Sequence, residues 1–398
     1  MDINRITIQN ILLYLYCFSL SLSVLNFQFL DRVFSISFVF SIIFLLSLSI
    51  NIKPYLDLSK GQHFIYPILF YVLLLSFVSW VNINPYSSRF LDVTLISNIL
   101  MFVIILNYFV KHADVRDKAM LAFTIGAVFV AFLSFMNIGA EINSDGRLSW
   151  MGSDIVEISI KMTLALVVIL TVIFKNKITL KMRTFWLFLS VSLLLWFIIQ
   201  TGSRTALLIV LSNLFLLLFF VRKNKKNIFI LILIAFLPLI LFYFQSEVMQ
   251  ERVIYSINAE TNIGNDALGG RLYLWGEMIP IIFKNILIGH GLSGLDYELY
   301  KVFGQIVSPH NALLEAFLKT GIIGFLSYSL FLFRLSMSSY WVYKYEDNYA
   351  HILLLFVALG IAVSIHPSIS KIFWLIMAYI ASSFLLLNYK DENINYRC

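Results

Sequence analysis

Charge is scarce in this 398-residue chain. Asp, Glu, Lys and Arg make up 13% of it and hydrophobic residues 60%, where a soluble domain carries about 25% charged residues. That balance excludes a water-soluble globular protein, and a mean hydropathy of +0.87 agrees. The alternating pattern of a barrel strand is also missing. What remains is a chain of repeated apolar runs of about 20 residues, which in lipid must be helices, because a helix satisfies its own backbone. Cysteine is nearly absent: Cys17 falls in the first apolar run and Cys398 is the last residue, so neither a disulfide nor a metal site is expected. There is no phosphate-binding glycine motif, no metal-ligand set and no Ser-His-Asp order, so neither nucleotide, cofactor nor metal is expected. No small-residue cleavage site follows the first apolar run, which is read as a transmembrane helix. The net charge of +7 lies in short basic clusters between apolar runs, a topology signal that does not call for nucleic acid.

The pattern predicts an all-α integral membrane protein of about twelve transmembrane helices, at residues 8–30, 33–51, 64–82, 93–110, 119–138, 154–174, 184–202, 205–221, 228–244, 311–333, 350–367 and 372–388. With both termini in the cytoplasm, most of the 29 basic residues fall in inner segments, including Lys111, Arg116 and Lys118, then Lys175, Lys177, Lys181 and Arg183, then Arg222, Lys223, Lys225 and Lys226. The positive-inside rule favours that orientation. One outer loop, 245–310, is far longer than the others, and loops of that length are usually functional. Within it, residues 271–287 have the spacing of an amphipathic helix lying on the membrane surface. A smaller outer loop, 139–153, carries Glu141, Asp145 and Arg147. There is no internal repeat.

Three residues on the outer side have the best claim to chemistry. Arg204, in Gln200-Thr201-Gly202-Ser203-Arg204-Thr205, sits at a tight turn opening a helix. Backbone amides there favour an anion and the guanidinium adds a permanent positive fork; the bland alternative is an arginine snorkelling to lipid headgroups. Arg271 follows Gly269-Gly270 and opens Leu272-Tyr273-Leu274-Trp275. It suits an anionic lipid head, or else Tyr273 and Trp275 form a plain aromatic belt beside a solvated arginine. His310 lies in Ser308-Pro309-His310-Asn311, which reads as a helix start with Ser308 as cap and Pro309 in the first position. A neutral histidine there can take a proton from a sugar hydroxyl; alternatively it is a satisfied interfacial residue. Asn311, Glu315 and Lys319 share one helix face, as do Asp154, Glu157 and Lys161. Such polar stripes within spans mark a wet cavity or hold helices together by ion pairs.

In order and placement, Gly202-Ser203-Arg204-Thr205, Arg271-Leu272-Tyr273-Leu274-Trp275, Gly289-His290-Gly291-Leu292-Ser293-Gly294 and Ser308-Pro309-His310-Asn311 with Gly321 and Gly324 resemble the O-antigen ligase/polymerase superfamily. The resemblance covers about residues 200–330. It implies a glycosyltransferase of the bacterial inner membrane with a periplasmic active site. Its donor is a glycan on undecaprenyl pyrophosphate. Its acceptor is the lipid A core for a ligase, or another lipid-linked unit for a polymerase, with a chain-length regulator as a possible partner. By analogy Arg204 and Arg271 hold the donor pyrophosphate and His310 is the general base, supported by Asn311, Glu315, Tyr273 and Trp275. On this reading residues 1–199 are an N-terminal bundle, 200–333 the ligase-like core with the loop 245–310, and 334–398 the last helices and a cytoplasmic tail. Pyrophosphate is a good leaving group, so the resemblance implies a metal-independent, inverting transfer. The family's ligases often show His-Asn, nine residues, Gly, two residues, then Thr or Tyr. Here Gly321 fits and Gly324 departs. The arginine-with-glycine pattern of some polymerases is not found, which tilts the reading to ligase. A lipid-linked sugar flippase or secondary transporter is the competing class, but it predicts paired halves and broken helices at the midplane. A non-catalytic scaffold for polysaccharide assembly is a third.

Overall fold

The structure, a computed structural model, describes residues 2–29, 32–83, 89, 91–143, 146–175, 182–221, 271–365 and 370–390. Among these the chain is all-α, with thirteen α-helices and two small hairpins. The predicted ninth span, residues 245–270 of the long outer loop, Asp145, and Arg222, Lys223, Lys225 and Lys226 lie outside the described residues.

Among the described residues, seven helices are long and apolar enough to cross a membrane: α3 (Gln62–Val81), α4 (Val93–Lys111), α5 (Ala113–Phe135), α6 (Ile155–Lys175), α8 (Arg204–Val221), α11 (Ala312–Glu346) and α13 (Lys371–Lys390). α2 (Ile36–Leu48), α7 (Met182–Gln200) and α12 (Ala350–Ser364) are apolar too, with shorter apolar stretches. The protein is therefore a multi-pass membrane protein. α1 (Asp2–Ser21) ends well before the predicted boundary at residue 30. The chain instead turns into a hairpin, β1 (Asn26–Phe29) with β2 (Arg32–Ser35). Asn26-Phe27-Gln28-Phe29 alternates with a period of two, a strand pattern that apolar content alone conceals. A second hairpin, β3 (Ala140–Ile142) with β4 (Leu148–Trp150), occupies the smaller loop.

The helices gather into two compact units interleaved along the sequence. In the unit made of residues 1–54, 111–252 and 343–360, α1 packs on α5 and α2, α5 on α6 and α7, and α6 on α8. Gly126 in α5 permits the approach of α1: a Cβ there would stand 2.5 Å from the Phe18 carbonyl oxygen. The predicted polar stripe on α6 is structural. Asp154 Oδ1 caps the helix at Glu157 N (2.8 Å). Buried Lys161 pairs with Glu157 (2.7 Å) and donates to Ser23 Oγ (2.6 Å), so its charge is compensated.

The other unit, residues 55–110, 253–342 and 361–398, contains α3, α4, most of α11, α13 and two further helices, α9 (Arg271–Lys284) and α10 (Gly291–Phe303). α9 falls where the amphipathic helix was predicted. It buries Met278, Ile281 and Ile282 against Leu295 and Leu299 of α10 and Leu318 of α11, at about 1.5–3 kcal/mol per side chain. It leaves Leu272, Ile279 and Phe283 exposed. That two-faced burial suits a helix with lipid on one side. α10 was not predicted. Its start, Gly289-His290-Gly291, reads as a turn in sequence, and Gly291 has a left-handed φ of 68°. A Cβ on Gly291 would lie 2.5 Å from Ser79 Cα, so glycine is what lets α10 pack on α3.

Candidate active site

The segment before α11 sets the position of His310. Asn311 caps the helix: its Oδ1 accepts from Leu313 N and Leu314 N, both at 3.1 Å. This corrects the predicted start, in which Ser308 was the cap and Pro309 the first helical residue. Ser308 Oγ instead accepts from His310 N (3.1 Å), tightening a turn outside the helix. The two motifs are indistinguishable by composition, since Ser and Asn both cap and the helix merely begins later. His310 is half-buried and holds φ = 48°. A left-handed non-glycine residue costs about 1–2 kcal/mol, and such strain gathers at functional sites.

α9 is tied to this segment. Trp275 Nε1 donates to the Pro309 carbonyl (2.9 Å), which places the helix that begins at Arg271 beside the turn carrying His310. The Arg271 guanidinium donates to the Val363 and Ser364 carbonyls, each at 3.4 Å. These are terminal carbonyls of α12, where a cation meets the negative end of the helix dipole. Tyr273 is 46% exposed. Of the two aromatic residues read as supporting, Trp275 is the one that joins the segments.

The position of Gly321 in the sequence pattern has a physical reason. α11 is broken there, at φ = 63° and ψ = −163°, a region open to glycine alone. A break strands backbone groups on either side, and the loop between α9 and α10 supplies their partners. His290 N donates to Leu318 O (3.0 Å) and Ile322 N donates to Ile286 O (2.8 Å). The loop lies so close that a Cβ on Gly321 would overlap the Leu287 carbonyl, and one on Gly289 would sit 2.5 Å from Gly321 N. His290 is buried and locks the loop. Its Nε2 faces the Ile281 carbonyl at 2.8 Å and therefore carries the proton, leaving Nδ1 to accept from Asn285 Nδ2 (3.4 Å).

Beside the His310 turn lies a cavity of about 440 Å³. Ser308 and Pro309 form one side, and Glu315 and Lys319 of α11 form the next. The far wall is Asp92, Val93 and Thr94 at the start of α4, with Arg89 and Asp296. Glu315 pairs with Lys319, and Arg89 pairs with Asp296. Glu315 and Asp296 are 5% and 8% exposed. His310 itself is not among the lining residues; it follows directly on Pro309, which is. Glu315 and Lys319 were visible in the sequence as a stripe. Arg89, Asp92 and Asp296 were not, because more than two hundred positions separate Arg89 from its partner and no local pattern links them.

Arg204 belongs to the other unit. It is the first residue of α8, after a turn with Gly202 at φ = 59°. Ser203 Oγ caps the helix at Ala206 N (3.4 Å); the sequence reading placed a helix start here without naming its cap. Thr201 Oγ1 is bonded to Ser159 Oγ (2.8 Å), and the Thr201 carbonyl accepts from Arg147 Nε (2.9 Å). Two arginines thus flank one helix-to-helix turn, and Arg147 is the one sequence reading left without a role. Asp154 acts as a cap, and Glu157 and Lys161 form an ion pair.

These features define a multi-pass helical membrane protein with a charged cavity beside a strained histidine, and without the sequence signature of a nucleotide site. Residues 189–329 match the model of a family described as O-antigen ligase. The matched stretch opens within α7, closes within α11, and contains Arg204, Arg271 and His310. Enzymes of this family are membrane glycosyltransferases of the ligase and polymerase type, which make lipopolysaccharide and related polysaccharides from lipid-linked glycans. No curated protein matches the chain.

Proposed function

We propose that this protein is a periplasm-facing glycosyltransferase that moves a glycan from undecaprenyl pyrophosphate to a hydroxyl of the lipid A core, as an O-antigen ligase. The observation that carries the reading is the Trp275–Pro309 hydrogen bond, which holds the helix of Arg271 against the turn of His310. Arg204 and Arg271 hold the donor pyrophosphate and stabilise the charge that grows on it as it leaves. A guanidinium has five N–H donors, so capping α12 and meeting a phosphate are compatible for Arg271. His310 removes the proton from the attacking hydroxyl. Asn311 holds its helix start, Glu315 lines the cavity one turn further on, and Tyr273 lies at the lipid boundary. Attack from the side opposite the pyrophosphate inverts the anomeric centre, and departure of pyrophosphate needs no metal. The membrane domain has twelve spans with both termini in the cytoplasm. The three short apolar helices and α1 add to the seven long ones; the predicted ninth span lies outside the described residues.

One observation favours a second reading. Gly324 stands where ligases carry Thr or Tyr, which suits a polymerase joining lipid-linked repeat units. Product identity separates the two. Purified protein is supplied with labelled undecaprenyl-pyrophosphate glycan, with and without lipid A core. Label on the core establishes the ligase, and longer lipid-linked chains without core establish the polymerase. Movement of lipid-linked glycan across vesicles, with its linkages unchanged, would replace both by a flippase.

A further inference from the structure

We infer that the cavity beside the His310 turn is a sugar subsite and holds the acceptor; this rests on the glycosyltransferase reading above. Its volume, about 440 Å³, falls in the range of small-ligand sites, about 300–1,000 Å³. Its charged lining is three carboxylates, Asp92, Asp296 and Glu315, against two bases, Arg89 and Lys319. A net negative lining repels a pyrophosphate, so the donor head belongs elsewhere. Hydroxyl groups both donate and accept, and a wall offering acceptors and donors side by side matches them. The remaining wall is apolar, with Leu292, Leu295 and Leu299 of α10, which suits the C–H face of a sugar ring. Asp296 and Glu315 are more than nine-tenths buried, and pairing with Arg89 and Lys319 compensates their charge, so the wall keeps its polar groups in place. Ser308 and Pro309 line the cavity and His310 follows directly on them, so a sugar bound there lies beside the turn of the proposed base.

The test is equilibrium binding to the full-length protein in detergent, with two soluble probes: delipidated core oligosaccharide and free repeat-unit oligosaccharide. Two variants are compared with wild type. Asp92→Asn keeps a helix cap for α4, since Asn caps as well as Asp, and removes the charge. Val93→Trp fills the mouth from a position 71% exposed, where folding tolerates the bulk. Wild type is expected to bind at least one probe and both variants to weaken it about tenfold or more, Asp92→Asn by loss of a hydrogen bond to a charged group and Val93→Trp by occupying the space of the sugar. Absence of binding by wild type, or equal binding by the variants, overturns the subsite. Displacement of bound probe by the lipid-linked donor overturns its assignment to the acceptor. Binding of sugar without any transfer leaves the subsite standing and removes the enzymatic reading, so the two fail separately.

Discussion

Gly321 is the residue on which most of the local geometry turns. Its φ of 63° and ψ of −163°, together with the Leu287 carbonyl pressed against it, leave no room for a side chain. Gly321→Ala is expected to destabilise the protein by about 1–3 kcal/mol from backbone strain alone, with more from the clash. A lowered thermal midpoint in detergent checks this, and an unchanged midpoint contradicts the break. In the sequence Gly321 stood out by its spacing from His310-Asn311, but spacing does not reveal that the helix is interrupted. That needs the loop 285–291, whose amide and carbonyl groups answer those freed in α11. His310 was legible as a helix-start residue. Its left-handed φ was not, because Ser308 and Asn311 offer equivalent caps and only backbone geometry chooses between them.

At the scale of elements, α9 and α10 are joined by the cluster of Met278, Ile281, Ile282, Leu295 and Leu299 and by charges at the surface. Glu298 of α10 pairs with Lys284 at the end of α9 and with Lys301 (3.5 Å). Burial alone would raise the Glu298 pKa. The hydrogen bond and charge of Lys284, with those of Lys301, outweigh it and bring the carboxyl below its ordinary value. A depressed carboxylate stabilises the fold above its unfolded pKa and loses that contribution as pH falls through the folded value. The expected result is faster amide hydrogen exchange in α10 in acid than at neutral pH, after correction for intrinsic rates. Glu298→Gln should remove most of that difference, and equal protection at both pH values would show that the pair does not hold the helices. The amphipathic pattern of α9 was plain in the sequence because its apolar positions recur at helical spacing. α10 was hidden by the glycines at its start, which resemble a turn until Ser79 is seen packed against Gly291.

At the scale of the whole molecule, composition alone decided the class, because 60% hydrophobic residues and 13% charged ones leave only a membrane interior to fold in. The number of crossings was less legible. Among the described residues seven helices meet the length and apolarity of a span, whereas α2, at thirteen residues, is about 20 Å long against about 30 Å of hydrocarbon. If the chain crosses twelve times with both termini inside, single cysteines at Lys223 and Lys344 react with membrane-impermeant thiol reagents only after the cytoplasmic side is opened. A cysteine at Tyr297 reacts in intact spheroplasts. Reaction of the first two from outside reverses the orientation.

The central claim is that His310 removes the proton from the attacking hydroxyl. Its most direct measurement is the initial rate of glycan transfer from undecaprenyl pyrophosphate, comparing wild type with His310→Ala at saturating donor and acceptor. General-base catalysis is worth about 10²–10⁴-fold, so the variant should lose at least a hundredfold in kcat while its donor KM changes little. A variant that transfers glycan at close to the wild-type rate contradicts the account.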